Sequence, residues 1–179
     1  MTESETTPSA LTDAMAQGHV TSQFVGFRLA DQDYAFRIEQ IQEIVIPDQI
    51  TRLPQVPAYV DGVTNLRGTI IPLINLRRLF GIEEQSQGAP TRAIVVNLGD
   101  RTIGCTVDDV SQVIRLSDED IQPASSLPGS QQAEHIFGFA RHHDSMLVIL
   151  NINELLSPDK LDAVHQAATA GDESARGSA

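Results

Sequence analysis

The side chains of this sequence that could take part in catalysis or bind a metal ion are its histidines and two short runs of acidic residues. His142 and His143 are adjacent, which in a strand directs them to opposite faces and in a turn leaves both in water. No cysteine or carboxylate lies beside them at the spacing of a metal-ligand set. We therefore predict solvated turn histidines and no metal site.

Paired carboxylates for acid-base catalysis could come from Asp108-Asp109 or from the acids at 118–120. Such catalysis needs one carboxyl whose pKa is raised by an apolar pocket or a neighbouring charge, and the sequence shows neither beside these acids. We predict solvated acids, with Ser117 and the acids after it forming a helix cap. Because the sequence also lacks nucleophile-turn, phosphate-loop and dinucleotide motifs, we predict a protein that is not an enzyme and holds no cofactor.

The charge balance argues against nucleic acid and membranes as partners. Lys and Arg number 12 against 24 Asp and Glu, and the net charge of −12 opposes contact with polyanions and anionic bilayers. Aromatic residues make up 4% of the chain and none is Trp, so few platforms exist for stacking bases. A β-barrel that binds a small ligand or nucleic acid and an enzyme with dispersed catalytic groups are the less favoured alternatives.

One stretch of this acidic chain is basic. From Gly62 to Ile82 there is no acid, and three arginines occur, Arg67, Arg77 and Arg78. Arginine suits planar, bidentate pairing with carboxylates of another protein and is frequent among the residues that dominate interfaces. At least one of Arg77 and Arg78 should lie on the solvent side of a short helix, whereas the turn at 65–68 projects Arg67 from a rigid hairpin and predicts a binding surface.

Short strands must position these side chains. Apolar residues alternate with period two along 25–29 and 34–38, and again along 60–66 and 69–74, which predicts two β-hairpins. Asn75 can cap a short helix from Leu76 to Phe80. The single cysteine, Cys105, lies in an apolar run and should be buried in a protein of a reducing cytoplasm. The first twenty residues lack the basic region and the apolar stretch of a signal peptide, so we expect no export, and no apolar run approaches the ~20 residues of a membrane helix.

A weak internal repeat relates the two halves of the chain. At an offset of 69, nine apolar positions from Val25 to Val45 fall opposite apolar positions from Ile94 to Ile114, without a gap. At an offset of 76, nine positions from Gly62 to Phe80 fall opposite similar residues from Gly138 to Leu156. We predict flexible tails at 1–21 and 158–179 around a domain at 22–157, with repeats at about 24–82 and 92–156. Two small closed sheets would result, and a strand such as Met146 to Leu150 could complete the first of them.

The stretch from Gly62 to Arg77, GVTNLRGTIIPLINLR, closely resembles the central block of CheW-like coupling proteins. Segments before and after it follow the same family pattern in order, over about residues 22–157. The resemblance implies an all-β fold of two five-stranded SH3-like β-barrel lobes with short helices. It also implies a cytoplasmic adaptor, recruited to membrane-associated receptor arrays, that bridges the cytoplasmic tip of chemoreceptors and the regulatory domain of the CheA histidine kinase without a cofactor.

The resemblance carries over to individual positions. Arg67, with its neighbours Asn65, Leu66 and Gly68, matches the block linked with receptor coupling. Ile41, Glu43 and Gly62 match positions linked with partner binding, although Ile41 could equally be a core residue and Gly62 a requirement of the backbone. The N-terminal extension, the acidic tail and Ile46-Pro47 depart from the simplest pattern. They leave open whether the chain serves chemotaxis or another receptor-kinase pathway such as twitching motility.

Overall fold

The structure, a computed structural model, describes residues 20–82, 91–126 and 135–157, together with Asp159, Lys160, Asp162 and Gln166. The predicted tails at 1–21 and 158–179 lie almost wholly outside these residues. The first half contains β1 (Thr21–Leu29), β2 (Gln32–Arg37), β3 (Ile41–Val45), β4 (Val60–Leu66), β5 (Thr69–Asn75) and helix α1 (Leu76–Leu79). The second half contains β6 (Arg92–Leu98), β7 (Arg101–Val107), β8 (Asp109–Ser117), β9 (Ile121–Pro123), β10 (Ile136–His142), β11 (Ser145–Leu150) and helix α2 (Ile152–Leu155).

The predicted caps follow from local chemistry. Asn75 precedes α1 and its side chain accepts a hydrogen bond from the backbone N–H of Arg78 at 3.2 Å, so this cap is confirmed. Ser117 donates to Oδ2 of Asp120 through both its hydroxyl and its N–H, at 2.8 Å and 3.2 Å. The predicted cap at Ser117 is therefore also confirmed, although the helix that it begins is a single 3-10 turn, Asp118–Asp120.

The strands form two sheets, and the all-β prediction is confirmed. The six-stranded lobe has the order β8-β1-β2-β11-β10-β9, and the five-stranded lobe has the order β3-β6-β7-β5-β4. The sixth strand in the first lobe is β9, a three-residue segment that pairs with β10. In the five-stranded lobe the chain that follows β3 reaches the opposite outer strand, because Thr51, six residues after β3, bridges to Val63 in β4.

Each lobe is built from both halves of the chain. Strand β11 pairs in parallel with β2, and β5 pairs in parallel with β7, so the strand from 145 to 150 does complete the sheet that contains β1 and β2. The pairings also follow the repeat offsets. Ala35 lies opposite Ile149 in the six-stranded lobe, and Gly104 lies opposite Leu73 at the equivalent place in the five-stranded lobe. The same two offsets therefore relate the parallel pairings of the two lobes, and the duplication itself stays a prediction.

The two lobes share most of their hydrophobic core. The largest buried cluster joins Phe27 and Phe36 of the six-stranded lobe to Ile74 and Ile94 of the five-stranded lobe. A smaller cluster around Phe24 belongs to the six-stranded lobe alone. The junction between the lobes is therefore a packed apolar core, which fixes the lobes with respect to each other.

Cys105 is fully buried in the shared core, as predicted, and burial raises the pKa of its thiol to about 12. Because the thiolate is the reactive form, the native protein should react with an excess of DTNB at least a hundredfold more slowly than glutathione does. In denaturant the single thiol should react completely. Absorbance of the released thionitrobenzoate measures both rates, and rapid stoichiometric reaction of the folded protein would contradict this burial.

Candidate protein-binding site

The predicted binding turn is a two-residue hairpin connection between β4 and β5. Leu66 lies opposite Thr69, so Arg67 and Gly68 form the turn, with φ of +53° and +89°. Positive φ at both positions matches the right-handed twist of a hairpin. The side-chain oxygen of Asn65 accepts a hydrogen bond from the N–H of Gly68 at 2.8 Å. The turn is thus held by its own residues, and glycine and asparagine are present for backbone reasons.

Arg67 and Glu43 meet across the five-stranded lobe. Nη1 of Arg67 lies 2.8 Å from Oε2 of Glu43, on strand β3. The arginine side chain is 75% exposed, whereas that of Glu43 is 20% exposed. Within the described residues, the second carboxylate oxygen of Glu43 is buried and has no hydrogen-bond partner. The structure therefore brings together two of the predicted site residues, one anchored inside the lobe and one presented to solvent.

Gly62 has a backbone role in this structure. It lies at an irregularity in the β4–β5 pairing, with φ of +144°. A Cβ at this position would lie 2.2 Å from the carbonyl oxygen of Thr51. That segment cannot move away easily, because Thr51 and Val63 exchange two backbone hydrogen bonds of 2.8 Å and 2.9 Å. Glycine is the residue that this close approach allows.

Ile41 contributes to the core of the protein. It is the first residue of β3, pairs with Val96 and packs half-buried against the shared core. Leu66 is also half-buried, whereas Asn65, Arg67 and Gly68 are exposed. The exposed part of the predicted site is therefore the turn itself.

The basic stretch has carboxylate partners within its own chain. Arg77 forms a bidentate pair with Asp108, with Nε 2.6 Å from Oδ1 and a second contact between Nη2 and Oδ2. The Arg77 side chain is only 12% exposed. Arg78 is exposed and lies 3.6 Å from Asp61. The solvent-side prediction thus holds for Arg78, and the predicted solvation of Asp108 is wrong because the fold packs α1 against the connection between β7 and β8.

The family profile described as CheW-like domain matches residues 23–160. The chain belongs to the CheW-like family. It is 36% identical to the chemotaxis protein CheW of Klebsiella aerogenes over 159 residues, which cover 89% of this chain and 96% of that protein. It is 39% identical to the chemotaxis protein CheW of Helicobacter pylori over 137 residues, which cover 76% and 82%. The crystal structure of the scaffolding protein TtCheW from Thermoanaerobacter tengcongensis matches with a TM-score of 0.70 at 30% identity, covering 79% of this chain and 96% of that one.

In the predicted repeat, the turn at Arg67 has a counterpart in the second half of the chain. At the offset of 76, Leu66 falls opposite His142, the last residue of β10, and Arg67 falls opposite His143, in the connection between β10 and β11. His143 has the same φ as Arg67, +53°. Extending the second register of the repeat through the loop would have found it. As predicted, His143 is exposed in a turn, while His142 is half-buried at the end of β10.

Other kinds of site find no support in the part of the chain that the structure describes. No three His, Cys, Asp or Glu side chains of this part stand close enough together to hold a metal ion. None of its helices has the length and apolar character to cross a membrane.

Proposed function

We propose that this CheW-like chain is a chemotaxis adaptor, which couples the cytoplasmic tip of chemoreceptors to the regulatory domain of the CheA histidine kinase without a reaction of its own. The names of its relatives, chemotaxis protein CheW and scaffolding protein, support this role. We place the protein in the cytoplasm, recruited to membrane-associated receptor arrays. The domain at 22–157 would make these contacts, since the family profile covers nearly the same residues.

The observation that carries the proposal is the pair of Arg67 and Glu43. A guanidinium has five N–H donors, and Arg67 contacts Oε2 of Glu43 through Nη1. Because the Arg67 side chain is three-quarters exposed, its other donors can bind a carboxylate of a partner. The buried carboxylate behind it limits the directions that the arginine can take. A positioned cation of this kind adds orientation to an interface whose apolar contacts supply most of the free energy.

The direct test is binding of the purified full chain to a receptor signalling fragment and to CheA, followed by assay of kinase activity with all three present. The proposal predicts binding to each partner separately and receptor-dependent stimulation of CheA only when the adaptor is present. Failure to bind either protein would overturn it. Recovery of a metabolite or an oligonucleotide bound tightly to the purified chain would favour a ligand-binding barrel.

Replacing Arg67 with alanine should weaken receptor coupling at least tenfold, which corresponds to about 1.4 kcal/mol. The free energy of unfolding should fall by less than about 1 kcal/mol, because the lost ion pair is largely screened by solvent. Isothermal titration calorimetry measures the first quantity, and urea unfolding measures the second.

Two further variants make this prediction specific. Arg92→Ala removes another partly exposed arginine, 3.8 Å from Asp109, and should leave coupling unchanged. If Arg67 served only to neutralise Glu43, Glu43→Gln would restore coupling to the Arg67→Ala protein. We expect no such rescue, and full recovery in the double variant would show that Arg67 does not contact the partner.

A further inference from the structure

Arg37, the last residue of β2, lies over two phenylalanine rings of the six-stranded lobe. Its Cζ is 4.7 Å from the ring centroid of Phe137 and 5.7 Å from that of Phe24. Phe24 is fully buried in the smaller core cluster, whereas Phe137 is 40% exposed. The rings therefore hold a half-buried guanidinium, by cation–π attraction, at the edge of that cluster.

This cation has no carboxylate partner among the residues that the structure describes. Six other arginines of the same residues do contact an acid, namely Arg28, Arg67, Arg77, Arg78, Arg92 and Arg101. Contact with the rings uses the faces of the guanidinium, whereas its five N–H donors lie in its plane. Arg37 is therefore positioned to bind a carboxylate through donors that the rings do not occupy.

The N-terminal segment 1–19 joins the fold close to this arginine. Strand β1 begins at Thr21, and its residue Phe24 is the direct partner of Arg37 in the pairing with β2. Three residues of a strand span about 10 Å, so the first residue of β1 and Arg37 are separated by roughly that distance along the sheet. Of the three segments that lie outside the described ranges, this one is therefore attached to the strand that pairs with Arg37.

The charge of this segment is complementary to Arg37. Residues 1–19 contain three acids, Glu3, Glu5 and Asp13, and no lysine or arginine. On the other side of β1, Thr21 pairs with Ser117, which begins the acidic turn Asp118–Asp120. Like charges repel the segment from that turn, and Arg37 on the opposite side attracts it.

One part of the segment also matches the site in its order of side chains. Leu11, Asp13 and Met15 alternate along the chain, so in an extended conformation the carboxylate and two apolar side chains share one face. The thioether of a methionine packs well against an aromatic ring. From Asp13 to Val20 the chain can span about 23 Å, which is enough to reverse direction, with Gly18 in the turn, and return to Arg37.

We infer that the carboxylate of Asp13 binds the guanidinium of Arg37, with Met15 against the exposed ring of Phe137. The contact lies within one chain, so it forms without the entropy cost of bringing two molecules together. The segment then covers a cation and an aromatic ring that a partner protein would otherwise contact. This inference goes beyond the proposed adaptor function and does not depend on it.

Limited digestion of the full chain by chymotrypsin tests the inference, because cleavage after Leu11 follows the fraction of molecules in which the segment is released. Asp13→Asn and Arg37→Gln should each raise the initial rate of this cleavage by about threefold or more. Mass spectrometry identifies the cleaved bond. A synthetic peptide of residues 8–20, with and without Asp13→Asn, corrects for the preference of the protease, and urea unfolding checks that Arg37→Gln is folded.

Two matched variants and an NMR measurement make the test specific. Arg115→Gln removes an exposed arginine of β8, opposite Gln23 of β1, and should leave the cleavage rate unchanged. Glu5→Gln removes a charge elsewhere in the segment and should also have no effect. In proton–nitrogen correlation spectra, Asp13→Asn should shift the Nε–Hε resonance of Arg37. Combined with Arg37→Gln, Asp13→Asn should add nothing further to the cleavage rate.

Several results would overturn the inference, and none of them involves a partner protein. Unchanged cleavage in Asp13→Asn and Arg37→Gln would show that the segment is not held at this site. Equal effects of Arg115→Gln and Arg37→Gln would show only a general attraction to the cations of the lobe. Protection that increases with protein concentration would assign the bound segment to a second copy of the chain. A shift of the Arg37 resonance by Glu134→Gln, and none by Asp13→Asn, would show that the carboxylate comes from the residues before β10.

Discussion

Replacing Gly62 with alanine is expected to lower the free energy of unfolding by about 3–5 kcal/mol. The added Cβ would lie 2.2 Å from the carbonyl oxygen and 2.8 Å from the carbonyl carbon of Thr51. These are backbone atoms in a hydrogen-bonded bridge, so they cannot rotate aside as a flexible side chain would. Alanine must also adopt a φ of +144°, which L-residues strongly disfavour. Urea unfolding followed by circular dichroism measures the loss.

Gly68→Ala is the matched control for this prediction. Gly68 also has a positive φ, +89°, but a Cβ there would meet no atom within 4 Å. This variant should lose only about 1 kcal/mol, the cost of the backbone conformation alone. A Gly62→Ala protein that is as stable as the Gly68→Ala protein yet binds no partner would instead identify Gly62 as a contact residue.

Removal of the Asp108 carboxylate should be the most damaging charge substitution, with Asp108→Ala losing about 3 kcal/mol of stability. Asp108 lies where the chain passes from β7 in one lobe to β8 in the other. It binds Arg77 through both oxygens and accepts a hydrogen bond from the N–H of Ala30 at 2.7 Å. The substitution leaves Arg77 buried without its main carboxylate partner, and three segments lose their common contact. Thermal and urea unfolding measure the effect.

The same pair predicts how stability depends on pH. Burial by itself raises the pKa of Asp108, but the hydrogen bonds from Arg77 and Ala30 outweigh it and hold the pKa below the ordinary value of 3.8. A carboxyl whose pKa is depressed by folding stabilises the protein above its unfolded pKa and loses that effect as the pH falls. The difference in stability between wild type and Asp108→Ala should therefore be constant near neutrality and shrink below about pH 4.

The adjacent acid provides the control. The side chain of Asp109 is 69% exposed and lies 3.8 Å from Arg92, so Asp109→Ala should change stability by less than about 1 kcal/mol at any pH. Equal losses from the two neighbouring substitutions would show that the buried pair with Arg77 does not hold the lobes together.

Much of the secondary structure could be predicted because its causes are local. The alternation of apolar residues in β1 and β2 depends on neighbours two positions apart, and the cap of α1 depends on Asn75 and a backbone N–H three residues later. The turn at Arg67 and Gly68 is similarly local. The sequence indicated the exchange of strands between the two halves of the chain only as one possibility. Several apolar strands of similar pattern could form the backbone hydrogen bonds at the edge of β2, and the sequence does not distinguish among them.

The candidate site also combines features that have local causes with features that depend on the fold. The all-β class and the turn that presents Arg67 could be predicted from the sequence, because a hairpin turn depends on the conformational preferences of four consecutive residues. Which charged side chains are exposed and which are buried in ion pairs became known from the folded protein. Arg77 and Asp108 are 31 positions apart in the sequence. The charges along the chain therefore indicate a basic stretch at Arg77, although in the folded protein this arginine forms a buried ion pair. Coulomb and hydrogen-bond energies depend on distance in space, and that distance is set by how the two sheets pack.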